Sequence, residues 1–231
     1  MKVFILSCGP GLPEVVSLYG HSSQWIPNSI DCSSVEYEIV KVYDNIHFDY
    51  SDADAFIVSG SKYSVYDDIP WIDILKGTIH EIIKSKKPML GICFGHQLLA
   101  SCLGGKVEKN IRGWELGSYN ISLTENGKSS PLFHEFYHND IAYESHQDVV
   151  ISLPSEALEL AYTDKGNQSF CFDDYLYGVQ FHPEFTYEVV RKLMDLRIKK
   201  GIRVDNQKIL KSINGNNILN NFINIVKRRI E

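Results

Sequence analysis

The sequence is short of cysteine, and the cysteines it has follow no pairing pattern. Cys8, Cys32, Cys93, Cys102 and Cys171 are scattered over 231 residues, with no CxxC spacing. An odd count at this density argues against a disulfide framework or a zinc site and fits a reducing cytoplasm. Long apolar runs are missing as well. None approaches the roughly 20 residues of a membrane span, and residues 3–6 are far too short for the core of a signal peptide. Positive charge is not in excess: the net charge of -6 argues against a nucleic-acid partner, because phosphate binding needs a basic face. No internal repeat is visible. What is present is ordinary globular composition, 44% hydrophobic and 23% charged, in a chain long enough for a full core.

The first half alternates strand and helix patterns. Residues 2–7, 37–43, 55–58 and 89–92 read as strands, most of them apolar throughout. Residues 13–20 read as a short helix and residues 21–32 as an irregular connection, given Trp25, Pro27 and Asn28. A helix is predicted from Asp67-Asp68-Ile69-Pro70-Trp71 to about Lys86, with Ile72, Leu75, Ile79, Ile82 and Ile83 at helical spacing. This alternation predicts an α/β fold with a central, mostly parallel sheet flanked by helices. After Lys106 the texture changes. Short strands at 106–109, 117–123, 141–144, 158–163, 169–172 and 177–181 predict a small antiparallel extension that returns to the main sheet. Residues 186–199 read as helix, and 205–230 as a helical stretch broken at Asn214-Gly215-Asn216-Asn217.

The chain is organised around residues 86–99. Met89 to Ile92 is a buried-strand pattern that turns helical within two residues, and Cys93 sits on the change between Gly91 and Gly95. A Gly-x-Cys-x-Gly turn between strand and helix is the cysteine form of a nucleophile elbow. The glycines are needed because the turn is sharp and side chains there would collide with neighbouring strands. A cysteine at a helix N-terminus is favoured as thiolate by the free amides and the helix dipole.

Such a nucleophile needs a base. Of eight histidines, His182 stands out: it ends the apolar strand Tyr177-Gly178-Val179-Gln180-Phe181, on the sheet edge that carries the elbow. Glu184, two residues on, is expected to project to the same side in extended backbone and to orient the imidazole. The reaction also needs amides aimed at the oxygen that gains charge, and the N–H of Phe94 is one.

Gly-Ile-Cys-Phe-Gly-His-Gln (residues 91–97) together with His182-Pro183-Glu184 resembles the class I glutamine amidotransferases, in motif order over roughly residues 2–195. The resemblance implies a flavodoxin-like fold, with Cys93 as nucleophile, His182 as general acid/base and Glu184 as its orienting partner. It implies a second oxyanion donor from the loop Ser59-Gly60-Ser61, where many members have two glycines and Ser61 aligns with the usual donor. Gln97 matches a substrate-holding glutamine, one helical turn from Cys93. Ser145-His146-Gln147-Asp148 resembles the loop whose backbone cradles the amino-acid end of the substrate. Gly60-Ser61, Asp67-Asp68, Trp71 and the segment from Arg112 to Gly117 bring the chain nearest to stand-alone members, the GMP-synthase-like amidotransferases and γ-glutamyl peptidases.

The expectation is a catalytic domain over residues 1–195 and a helical extension over 196–231 that packs on it or on a partner. There is no P-loop, and no metal or organic cofactor is expected. The substrate is expected to be glutamine or a γ-glutamyl compound, cleaved by the chain alone or for a separate synthetase subunit. Two rivals remain: a non-catalytic regulatory module of the same fold, and a DJ-1-like protein, which also carries an elbow cysteine.

Overall fold

The computed structural model describes residues 1–44, 48–204 and 208–230. In chain order, the first half comprises β1 (Lys2–Ser7), α1 (Pro13–Tyr19), α2 (Ser22–Asn28), β2 (Glu36–Lys41), β3 (Ala55–Val58), α3 (Pro70–Lys84), β4 (Met89–Ile92) and α4 (Phe94–Cys102). The next elements are β5 (Lys106–Lys109), β6 (Glu115–Asn120), β7 (Ser122–Leu123), α5 (Glu125–Ser129), β8 (Ile141–His146) and β9 (Asp148–Ser152). The chain closes with β10 (Leu158–Thr163), β11 (Gly166–Phe172), β12 (Leu176–Val179), α6 (Tyr187–Lys199) and α7 (Asn217–Ile230).

The main sheet has the order β2-β1-β3-β4-β12-β11-β10-β7. From β2 to β12 the pairings are parallel; β11, β10 and β7 run antiparallel. Two antiparallel pairs, β5–β9 and β6–β8, form the extension. The parallel strands are apolar on both faces because both are covered. Val3, Ile5, Ile57, Leu90 and Ile92 face one core with Ile26 of α2 and Ile218, Phe222 and Val226 of α7. Phe4, Leu6, Phe56, Val58 and Met89 face the other, with the buried stripes of α3 and α4. The α7 helix is thus part of the principal core. Among the described residues no helix is long and apolar enough to cross a membrane.

Several sequence expectations change. Residues 21–32 are not irregular: α2 starts with a capping box, in which the His21 side chain accepts from Ser23 N and Gln24 reaches back to the His21 amide. Pro27 lies inside that helix without breaking it. The stretch ahead of Asn214 is not helical where it is described. Leu210 N donates to Ser118 Oγ (2.9 Å) and Ser212 Oγ to Ile141 O (2.6 Å), so the chain is laced along β6 and β8; residues 205–207 lie outside the described ones. Residues 117–123 split into β6 and β7, and β9 and α5 had no clear sequence signal. Residues 145–148 are a junction of two strands, not a free loop.

Candidate active site

Strands β1, β3, β4 and β12 end on one edge, and the site is built from the residues just beyond those strand ends. Val58 pairs with Gly91, and Ile92 with Val179. Carried to the row beyond Ile92, that register sets Gly60, Cys93 and Gln180 abreast. The Cys93 amide donates to Val179 O at 2.8 Å, which ties the elbow to β12. Cys93 itself has φ 52° and ψ -102°, a left-handed conformation that a non-glycine residue adopts only where its surroundings hold it. The flanking glycines permit this. A Cβ on Gly91 would meet the Gly95 carbonyl, and one on Gly95 would meet the Val58 carbonyl.

His182 lies beside Cys93, close enough for a charge there to act on its imidazole. Its Nδ1 is 2.8 Å from Glu184 Oε1, which leaves Nε2 for the thiol. The carboxylate gets there through a turn, closed by Phe185 N to His182 O at 3.3 Å, and not through extended backbone. The imidazole is stacked on Phe185, with centroids 3.9 Å apart and planes 9° apart, and Trp25 meets Phe185 edge-on at 5.8 Å. At the ring's Cε1 edge stands Gly60, whose absent Cβ would lie 2.8 Å from His182 Cε1 and 3.6 Å from Cys93 Cβ. Burial alone would lower the imidazole pKa, but the charge on Glu184 and a thiolate at Cys93 outweigh it and lift it to about 10. The arrangement therefore favours the imidazolium form of His182.

Among the described residues, neither the Gly60 nor the Ser61 amide has a protein acceptor. Their loop is fixed by side chains: Ser59 Oγ accepts from Cys8 N (3.0 Å) and Ser61 Oγ donates to Cys8 O (2.5 Å). Phe94 N–H stands at the first position of α4, where no preceding turn supplies an acceptor.

The other expected residues divide. Gln97 is buried, and its Nε2 donates to Asp148 O and to Gln180 Oε1, both at 2.9 Å. Only its carbonyl oxygen is left to face a ligand. Ser145 lines the cavity beside His182. Gln147 O accepts from Asn110 N at 2.9 Å. The His146 side chain is buried in contacts of its own: Nδ1 is 2.9 Å from Asp148 O, and Nε2 is 3.3 Å from Glu115 Oε2 and 3.1 Å from Glu144 Oε2. Asp148, which had no assigned role, accepts from Ser64 Oγ (2.5 Å) and Tyr66 OH (3.0 Å) and pins the loop after β3. Phe185, Trp25 and Arg197 also escaped sequence reading, because stacking and cavity-lining leave no spacing signature. No cluster of His, Cys, Asp and Glu among the described residues is arranged to hold a metal ion.

Comparison with known proteins gives the family and the fold. Residues 5–195 match the family model described as "Glutamine amidotransferase class-I". The chain is 35% identical over 166 residues to gamma-glutamyl peptidase 5 of Arabidopsis thaliana, covering 69% of this chain and 66% of that protein. It is 37% identical over 131 residues to the glutamine-hydrolyzing GMP synthase of Pyrobaculum aerophilum, covering 56% of this chain but 24% of that protein. A crystal structure of a glutamine amidotransferase from Thermotoga maritima superposes with a TM-score of 0.74 at 20% identity, over 100% of this chain and 97% of that one.

Proposed function

The chain belongs to the class I glutamine amidotransferase family, and from that premise we propose that it cleaves the γ-glutamyl amide of glutamine or of a γ-glutamyl compound through a thioester on Cys93. One observation carries this reading: His182, bonded to Glu184 through Nδ1 and stacked on Phe185, stands beside a cysteine on a left-handed elbow. The Cys93 thiolate attacks the γ-carbonyl carbon, and the oxygen gains its charge against the amides of Phe94 and of Gly60 or Ser61. His182 gives its Nε2 proton to the leaving amine as the C–N bond breaks, leaving a γ-glutamyl thioester. His182 then takes a proton from water, which attacks the thioester and releases glutamate and the thiolate. Gln97 and the backbone of residues 145–147 hold the amino-acid end. No cofactor enters these steps, and the free cysteines fit a reducing cytoplasm.

A second reading rests on the match to 24% of a GMP synthase: the chain supplies ammonia to a separate synthetase subunit. Ammonia release from glutamine and amine release from γ-glutamyl peptides, assayed with the wild type and Cys93→Ala, separate the two. Peptide cleavage lost in the variant supports the stand-alone reading. Weak glutaminase activity alone, lost in the variant and raised by a synthetase, supports the second. No Cys93-dependent activity and no labelling of Cys93 by an electrophilic glutamine analogue would leave a non-catalytic module.

A further inference from the structure

A cavity begins where the triad ends. Its walls include Gly60, Ser145, His182, Phe185, Leu12 and Arg197, so it runs from the oxyanion loop and the histidine to the start of α1 and to α6. It holds about 100 Å³ and opens to solvent. An ammonia leaving group needs no such room. The Arg197 guanidinium lies over the Trp114 ring, 4.8 Å from its centroid, and its Nε is buried without an acceptor. No carboxylate among the described residues pairs with it. The contrast with Arg229 is direct: that side chain also lies over a ring, Tyr175 at 4.7 Å, but its charge is met by Asp174 at 2.7 Å. Lys62 adds a second, exposed cation at the cavity rim. The one acid lining the cavity, Glu184, is turned to His182.

We propose that this cavity binds the leaving group of a γ-glutamyl amino acid or peptide, and that Arg197 pairs with that group's carboxylate. The inference rests on the hydrolytic reading above and narrows its substrate class. The acid that protonates the leaving amine is in the cavity wall, so the atoms beyond that amine continue into the cavity. Leu12 and Leu193 offer them apolar contact, and the stacked guanidinium offers a fixed fork that matches a carboxylate.

The test compares three substrates: γ-glutamyl-glycine, γ-glutamyl-methylamide, which lacks the leaving-group carboxylate, and glutamine. In the wild type kcat/KM is expected to be highest for γ-glutamyl-glycine. In Arg197→Met the ratio of kcat/KM for γ-glutamyl-glycine to that for the methylamide is expected to fall roughly 10- to 100-fold, mostly through KM. Arg197→Lys keeps the stem and the charge, guards against misfolding, and should recover part of the ratio. An unchanged ratio, with or without a uniform loss of activity, overturns the proposal; a uniform loss would assign Arg197 to the glutamyl end. Thermal shift on Cys93→Ala needs no turnover. A larger shift by γ-glutamyl-glycine than by the methylamide, lost on adding Arg197→Met, supports the cavity assignment even where the wild type hydrolyses nothing. Equal shifts overturn it.

Discussion

Two histidines in this molecule lie against glutamates, and they differ in which nitrogen the carboxylate takes. In the first cluster Glu184 holds His182 Nδ1 at 2.8 Å, and Nε2 is left for Cys93 beside an open cavity. In the second, Nδ1 of His146 is spent on the Asp148 carbonyl and Nε2 faces Glu115 and Glu144, all buried. Glu115 has further donors in Thr163 Oγ1 (2.7 Å) and Gln168 Nε2 (2.8 Å), whereas Glu144 has only His146. Both imidazoles are biased toward the charged form against the effect of burial. The same residue types thus give the proposed proton carrier where one nitrogen is left accessible, and a buried strut joining β6 and β8 where none is.

The largest effects should separate the clusters by rate. His182→Ala is expected to lower kcat about 10³- to 10⁴-fold, with some loss of stability because Glu184 stays buried without its partner. His146→Ala should act mainly on stability. It takes the counter-charge from buried Glu115 and the one close partner from buried Glu144, and should cost about 3–5 kcal/mol of stability. The rate of the fraction still folded should change less than about tenfold. Urea unfolding and initial rates corrected for folded fraction decide this. A fully stable, inactive His146→Ala would break the comparison and place His146 in the chemistry.

The first cluster was legible in the sequence and the second was not. Cys93 and His182 stand at strand ends, flanked by glycine or proline, and such punctuation survives in one dimension. Glu184 meets His182 Nδ1 at 2.8 Å, but a turn and not the expected extended backbone brings it there. Glu115 and His146 meet only because β6 and β8 pair in that register, a long-range contact with no local mark. The α2 helix was missed because Pro27 and Asn28 suggested a turn, while the capping by His21 and Gln24 depends on side-chain geometry. The stretch before Asn214 was misread because its apolar spacing is helical although its amides bond elsewhere.

A smaller effect sharpens the picture of the open cluster, where Phe185 covers a face of the ring and Gly60 stands at its Cε1 edge. A methyl on Gly60 would sit 2.8 Å from His182 Cε1 and force the imidazole to shift. Gly60→Ala is expected to reduce kcat roughly 10- to 100-fold, with stability altered by less than about 1 kcal/mol. Gly60 has no left-handed backbone to strain, so steric pressure on the ring is the cause being tested. Unchanged kcat would mean that the stack with Phe185 does not set the reactive orientation.

The closed cluster has its own signature in pH. Burial pushes the Glu144 carboxyl up to about 7, against the pull of His146, from an ordinary value of 4.5. Between those values the folded state keeps a proton that the unfolded chain has lost, so stability falls as pH rises through the window. His146, held above its ordinary 6.5, contributes stability that is present below 6.5 and lost as pH rises through its folded value. Both slopes have the same sign. Glutamine at 144 cannot ionise and removes the first of them. Glu144→Gln should therefore match the wild type near about pH 5 and exceed it near about pH 8 by on the order of 2 kcal/mol. Urea melts at both pH values measure the difference. A variant less stable than wild type at the higher pH would show that ionised Glu144 stabilises His146 more than burial costs it, and the second cluster would then be a charged triad and not a strut sharing one proton.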